Sequence, residues 1–223
     1  MSLSPEAQAL VRQLTDREQA IEPKRFPVDR AQAARAGMYS WWGDDEACAV
    51  LGEEIGTKLP SLLYVGQTGA TTRSGRRSAA TLASRIGENH IRGNAQSSTF
   101  RLTISTLLLR RLSLVPARGG RLDRTSNARM SEWIADHLRI AIAPFDNRDT
   151  LMDRETEVIV HLDPPLNLDG CPLSKARSRI TERRRALPRP RRASGPRAAV
   201  GRPKVSSSTA KPPMTDRSAP GFP

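Results

Sequence analysis

A sharp change of composition divides the 223-residue chain and decides how much of it can form a fold. From Ser174 to Pro223 there are 14 Lys+Arg against two Asp+Glu, eight prolines and a single aromatic, Phe222. A segment built of blocks such as "TERRRALPRPRRASGPR" has too little apolar surface to offset the entropy of ordering it. Residues 174–223 therefore read as a basic Pro/Arg/Ser-rich tail, disordered beyond about Leu187. The stretch Met1–Leu173 is close to neutral, with 22 Lys+Arg against 21 Asp+Glu, so the net +13 lies almost wholly in the tail. A flexible cationic segment suits a polyanion, most simply nucleic acid. A solvated tail without a specific partner is the plainer alternative.

What precedes the tail carries clear punctuation. Ser4-Pro5 before "EAQALVRQL" starts a helix, with a capping serine and a proline at the first helical position, and residues 1–23 form an N-terminal helical segment. The compact domain runs over about residues 24–173. Strands are expected at 37–42, 62–66 and in "RIAIAPF". Helices are expected in the acidic segment between the first two strands, at about 79–92 and 98–112, in "SNARMSEWIADHL", and in "DTLMDRETEVIVHLDPP", which paired prolines stop. Phe100, Ile104, Leu107 and Leu108 share one face of the 98–112 helix and mark it as core. The result is a small α/β or α+β domain with three strands.

The two cysteines, Cys48 and Cys171, lie far apart and propose neither a disulfide framework nor a zinc site. The N-terminus is polar and amphipathic, and no run approaches the length needed to span a membrane. The expectation is a cytoplasmic protein with no membrane partner.

The final helix is the most informative segment for chemistry. At 100° per residue Leu151, Glu155, Val158 and Leu162 form one stripe, with Ile159 at its edge, while Arg154, Glu157 and His161 line the opposite, solvated side. Burying a lone carboxylate is costly, so Glu155 should be paired, neutralised or bound to a metal. A Glu at the stripe's boundary reaching a surface arginine is the bland alternative. On the 79–92 helix, Leu82 and Ile86 mark an apolar stripe that His90 continues, with Arg85 at its flank. Arg85 is a partner for Glu155 or a fork of donors for phosphate; His90 taken alone is a packed histidine. The loop "GQTGATTRSGRR" brings Arg73, Arg76 and Arg77 together as a solvated or phosphate-contacting cluster and lacks a nucleotide P-loop.

Only two tyrosines occur, and both stand beside a glycine in a strand: "GMYSWW" (Tyr39) and "LLYVGQT" (Tyr64). Edge-of-sheet packing accounts for such residues on its own. The ordered set "GMYSWW", "LLYVGQT", "TLASRIGENHIRGN" and "ETEVIVHLDPPLNLDG", over about residues 37–170, resembles the GIY-YIG nuclease family. Met38 and Val65 stand where the family name has isoleucine. The resemblance implies an α+β fold: a small central three-stranded antiparallel sheet flanked by helices, here with extra helices inserted and a disordered basic C-terminal tail. It also implies roles. Glu155 matches the acidic ligand of one divalent cation per site, Mg²⁺ or Mn²⁺. Arg85 matches the arginine that neutralises the scissile phosphate, Tyr39 the tyrosine that orients or activates water, and Tyr64 the second tyrosine, which positions phosphate or water. Asn167 matches the polar residue that closes the site. His90 follows Arg85 by five positions, whereas some members carry a histidine one helical turn after that arginine. The connection between the tyrosines is longer than the usual short hairpin, and 98–136 exceeds the minimal module.

The implied activity is metal-dependent endonucleolytic hydrolysis of DNA, with RNA as a second possible substrate. Two other classes compete: a non-catalytic nucleic-acid-binding protein on the same fold, anchored by its tail, and a scaffold whose tail recruits an acidic protein. The enzyme needs Tyr39, Tyr64, Arg85 and Glu155 together; the binding module needs only the tail and loop arginines, and loses affinity steeply with salt.

Overall fold

A computed structural model describes residues 2–186 of the chain. The expected disorder beyond about Leu187 lies outside the described residues. Three antiparallel strands form the central sheet in the order β2 (Leu62–Thr68), β1 (Gly37–Gly43), β5 (Leu138–Pro144), as the α+β reading requires. β1 is central and buried at every position, which is why "GMYSWWG" is apolar on both faces rather than alternating.

The two faces of the sheet hold different cores. On one side Met38, Val65 and Ala143 pack with Leu10 and Leu14 of α1 (Pro5–Thr15) and with Leu151 and Val158 of α6 (Leu151–Leu162). On the other side Tyr39 and Trp41 meet α3 (Asp45–Ile55), α4 (Thr99–Leu107) and α5 (Arg124–His137), through residues such as Leu51, Phe100, Ile104 and Ile134. A one-turn helix, α2 (Arg30–Ala33), leads into β1. Among the described residues no helix is long and apolar enough to cross a membrane.

α1 begins as its sequence dictates: the Ser4 hydroxyl accepts from the Ala7 N–H at 3.2 Å and Pro5 opens the helix. The helix is not a separate appendage, since it lies along α6 and changes the reading of that helix's far side. Arg154 and Glu157 are not solvated; they form an ion pair at 2.7 Å, and Glu157 accepts from the Ser4 N–H at 2.8 Å. Helical projection identified the side opposite the stripe, but α1 covers it. His161 does remain exposed.

Two boundaries also move. The domain limit at 173 falls short, because Lys175–Ala186 forms a further helix, α7, with Ile180 fully buried. Its sequence "KARSRITERRRA" reads as tail because six cationic residues surround that one isoleucine. The inserted stretch 98–136 is not wholly helical: Pro116–Ala117 (β3) and Arg121–Leu122 (β4) form a short antiparallel hairpin.

The segment that presents Arg85 and His90 is a π-helix, Ala83–Ile91, in which the Arg92 N–H reaches back five residues to the Gly87 carbonyl at 3.0 Å. Residues five apart are turned about 140° from each other on an α-helix but share a face on a π-helix.

Candidate active site

Steric limits explain the two glycines. Tyr39 lies directly opposite Gly66 in the β1–β2 register. A Cβ on residue 66 would stand 2.6 Å from the Tyr39 hydroxyl oxygen and 3.0 Å from the Tyr64 ring. A Cβ on residue 37 would stand 2.4 Å from the Ala143 carbonyl oxygen. Glycine at these positions lets the phenol lie across β2 and lets β1 close on β5.

The Tyr39 side chain, wholly covered, meets two groups from the π-helix. Arg85 Nε donates to its hydroxyl at 3.4 Å, and His90 Nε2 lies 2.7 Å from the same oxygen. Because the helix is π, the five-residue interval between Arg85 and His90 brings both to one phenol. The second histidine nitrogen, Nδ1, lies 2.6 Å from Ser98 Oγ, and Ser98 also caps α4 by accepting from the Arg101 N–H at 2.9 Å. Arg101 is completely buried and donates to the carbonyls of His90 (2.9 Å), Ile91 (3.0 Å) and Asn127 (2.8 Å). It thereby fixes the end of the π-helix. Burial pushes the Arg101 guanidinium down to about 10. Burial, helped by the charges of Arg85 and Arg101, holds His90 well below the usual imidazole range, so the ring is neutral near pH 7. Burial and the neighbouring Tyr64 push the Tyr39 phenol above its ordinary value, against the pull of Arg85.

The free edge of β2 carries the other half of the constellation. Backbone groups point outward from alternate residues of an edge strand, and three of them here are taken up by the loop after α6. The Leu63 carbonyl accepts from the Leu166 N–H at 3.0 Å. Val65 donates its N–H to Asn167 Oδ1 at 2.9 Å, and its carbonyl accepts from Asn167 Nδ2 at 2.8 Å. Gln67, through its backbone N–H and its side-chain amide, pulls the Glu155 carboxyl downward.

A family model described as the GIY-YIG catalytic domain matches residues 37–186. The chain belongs to the GIY-YIG family. No match was found among curated proteins or among solved structures. The match extends to the end of α7, and the geometry shows why a GIY-YIG domain of this form includes that helix. Arg177 of α7 is buried and donates to the Asn167 carbonyl (2.8 Å), the Pro172 carbonyl (3.0 Å) and Asp163 Oδ1 (2.6 Å). The loop that carries Asn167 to the β2 edge is thus clamped from α7.

The six candidate site residues gather around one region. Tyr64, Glu155 and Asn167 line a cleft of about 300 Å³ with Thr99, Thr103 and Asp169. Behind Tyr64, at 6.4 Å between ring centroids, stands Tyr39 with its two π-helix partners. Asn167 has both halves of its amide engaged by Val65, so it serves as a strut rather than a free donor. Burial pushes the Glu155 carboxyl up to about 7, opposed by the Gln67 hydrogen bonds and by the charge of Arg85. Among the described residues Arg85 and Glu155 form no direct ion pair; they act on each other through space.

The loop arginines separate. Arg73 lines a second cleft, about 520 Å³, that shares Glu155 and Thr156 with the first. Arg77 lies 3.8 Å from Asp149 with both side chains exposed, and Arg76 and Arg77 line neither cleft. Sequence reasoning missed Gln67, Ser98, Arg101 and Arg177. Gln67 carries a faint signal, as a polar residue two positions beyond Val65 on the same strand face; the others are legible only in three dimensions.

Proposed function

We propose that the protein is a metal-dependent endonuclease that hydrolyses DNA phosphodiester bonds, and the observation that carries this reading is the Tyr39 hydroxyl held between Arg85 and a neutral His90, beside the cleft that Glu155 lines. The donor set fits a hard divalent cation. Glu155 is a single half-buried carboxylate at the junction of two clefts, and no group of three or more His, Cys, Asp or Glu gathers as an ion cage among the described residues. One carboxylate with water and phosphate oxygens completing the shell is the arrangement Mg²⁺ or Mn²⁺ accepts. Bound there, the ion supplies Lewis-acid polarisation of a phosphoryl oxygen.

The remaining roles fall to this chain's residues. Arg85 turns its guanidinium to the scissile phosphate, where charge builds as water adds to phosphorus. That movement gives up its long contact with Tyr39 and uncovers the phenol. Tyr39, its hydroxyl held by His90 Nε2, then orients the attacking water, whose proton passes to solvent. This orienting role needs no phenolate, in keeping with a phenol pushed above its ordinary value. The phosphorus–oxygen bond to the leaving strand end breaks with its electron pair on that oxygen. Tyr64 positions the phosphate, and Gln67 aims the Glu155 carboxylate.

The non-catalytic reading draws support from one observation, the complete coverage of Tyr39. Plasmid nicking in Mg²⁺ or Mn²⁺ against EDTA, with Glu155→Ala in parallel, separates the two. Metal-dependent nicking lost in the variant is the expected result. Salt-sensitive DNA binding without nicking by the wild type would establish the binding module instead.

A further inference from the structure

Beyond the end of the π-helix lies a cleft of about 540 Å³ whose walls differ from those around Glu155. It is lined by Arg92, Asn94, Gln96, Ser97, Arg121 and Asn127, with Gly93, and none of these is a carboxylate. The other polar groups are already engaged in building its frame. Asn94 holds the β3–β4 hairpin by a paired contact with Leu122, accepting from its N–H at 2.9 Å and donating to its carbonyl at 3.1 Å. Asn127 Nδ2 donates to the Gly93 carbonyl at 3.0 Å, and Ser97 Oγ donates to the Asn94 carbonyl at 2.9 Å. Arg92 and Arg121 are exposed, and among the described residues neither belongs to an ion pair. Gln96 stands on the rim, near the backbone of Gly119 at the hairpin tip. Asp123, the acid closest in sequence to Arg121, is occupied in capping α5, where it accepts from the Ser126 N–H at 2.7 Å.

We propose that this cleft is a phosphate-binding subsite for the nucleic-acid backbone, with Arg92 and Arg121 as its cationic donors. The proposal rests on the nuclease reading and extends it to a contact away from the reacting centre. Two guanidiniums outside any ion pair, lining one cleft with no acid among its walls, are matched by an anion with several acceptor oxygens. Position supports the same conclusion. Arg92 follows Arg85 by seven residues on and just past one helix, about 10 Å or less along its axis even at the α-helical rise.

The test is the salt dependence of binding of a short labelled DNA duplex to the full chain, in EDTA. Each lost phosphate contact lowers the slope of log K against log salt by about 0.9. Arg92→Ala with Arg121→Ala should therefore lower it by about 1.8, and Arg92→Lys with Arg121→Lys should keep it. Arg17→Ala with Lys58→Ala, in a cleft that also holds Asp45 and Glu53, is the matched charge control and should leave the slope in place. An unchanged slope in the alanine pair overturns the subsite, as does an equal fall in the control, which would reduce the effect to net charge. A wild type that binds no duplex at all overturns the nuclease reading along with the subsite, whereas the first two results leave that reading standing.

Discussion

His90 Nε2 lies 2.7 Å from the Tyr39 hydroxyl even though His90 follows Arg85 by five residues, an interval that an α-helix would turn to its opposite side. The π-helix resolves the mismatch by adding one residue to the turn. Deleting the exposed Glu88 should shorten that turn to α-helical form and keep both side chains on Tyr39, with nicking activity retained. Inserting an alanine after Glu88 should swing His90 away from Tyr39 and cost about 10² in rate, the order expected when a reacting group is misplaced by about 1 Å. Rate measurements on both variants decide it; equal loss in the two would remove the π-turn from the account.

Glycine 66 offers a second test. Gly66→Ala places a methyl 2.6 Å from the Tyr39 oxygen and should cost about 1–3 kcal/mol of stability as overpacking. Adding Tyr39→Phe removes the clashing hydroxyl and should return part of that stability without returning cleavage. Chemical denaturation of the two single variants and the double variant measures the coupling. Simple additivity would show that the hydroxyl is not what excludes a side chain at position 66.

Glu155 ties stability to pH. Burial pushes its carboxyl up to about 7 from an ordinary 4.5, so the folded protein holds a proton that the unfolded chain releases between those values. The favourable contribution is full below pH 4.5 and is lost as pH rises through 7. In EDTA at pH 8, Glu155→Gln should melt higher than the wild type, by on the order of 1–3 kcal/mol, roughly 2–4 °C for each kcal/mol. The gap should close below pH 4.5, where both side chains are neutral. Mg²⁺ should then raise the melting temperature of the wild type alone. A gap independent of pH would place the Glu155 effect in packing rather than charge.

Removing α7 should reach the site. Arg177→Ala leaves the carbonyls of Asn167 and Pro172 without their donor and should cost about 2–4 kcal/mol. A chain ended at Leu173 also uncovers the pocket that Ile180 fills, and should lose both its cooperative melt and metal-dependent nicking. Normal melting of that shorter chain would restore the domain limit at 173.

The sheet was legible because "GMYSWW", "LLYVGQT" and "RIAIAPF" are apolar runs bounded by turns, and all three form strands. Glu155 was legible because a carboxylate interrupts an apolar stripe. Over 79–92 an α-helical projection and the observed π-helix bring the same residues together by different geometries. Leu82, Ile86 and His90 fall on one α-helical stripe and are all buried, but the approach of Arg85 to the same phenol depends on a widened turn with no signature in composition. α7 was hidden for a compositional reason, since Ile180 is one apolar residue among cations. Arg101 and Arg177 look like surface arginines in sequence and are buried because clustered backbone carbonyls receive them.

The cover on β2 has a consequence for how the protein behaves in solution. Leu166 and Asn167 take up outward-facing backbone groups of Leu63 and Val65 on an otherwise open strand. An uncovered edge is a template on which another chain can add a strand. Residues of the candidate site therefore also cover part of the sheet's edge. Variants at Asn167 designed to silence the site would be expected to self-associate, so soluble yield should be measured beside activity.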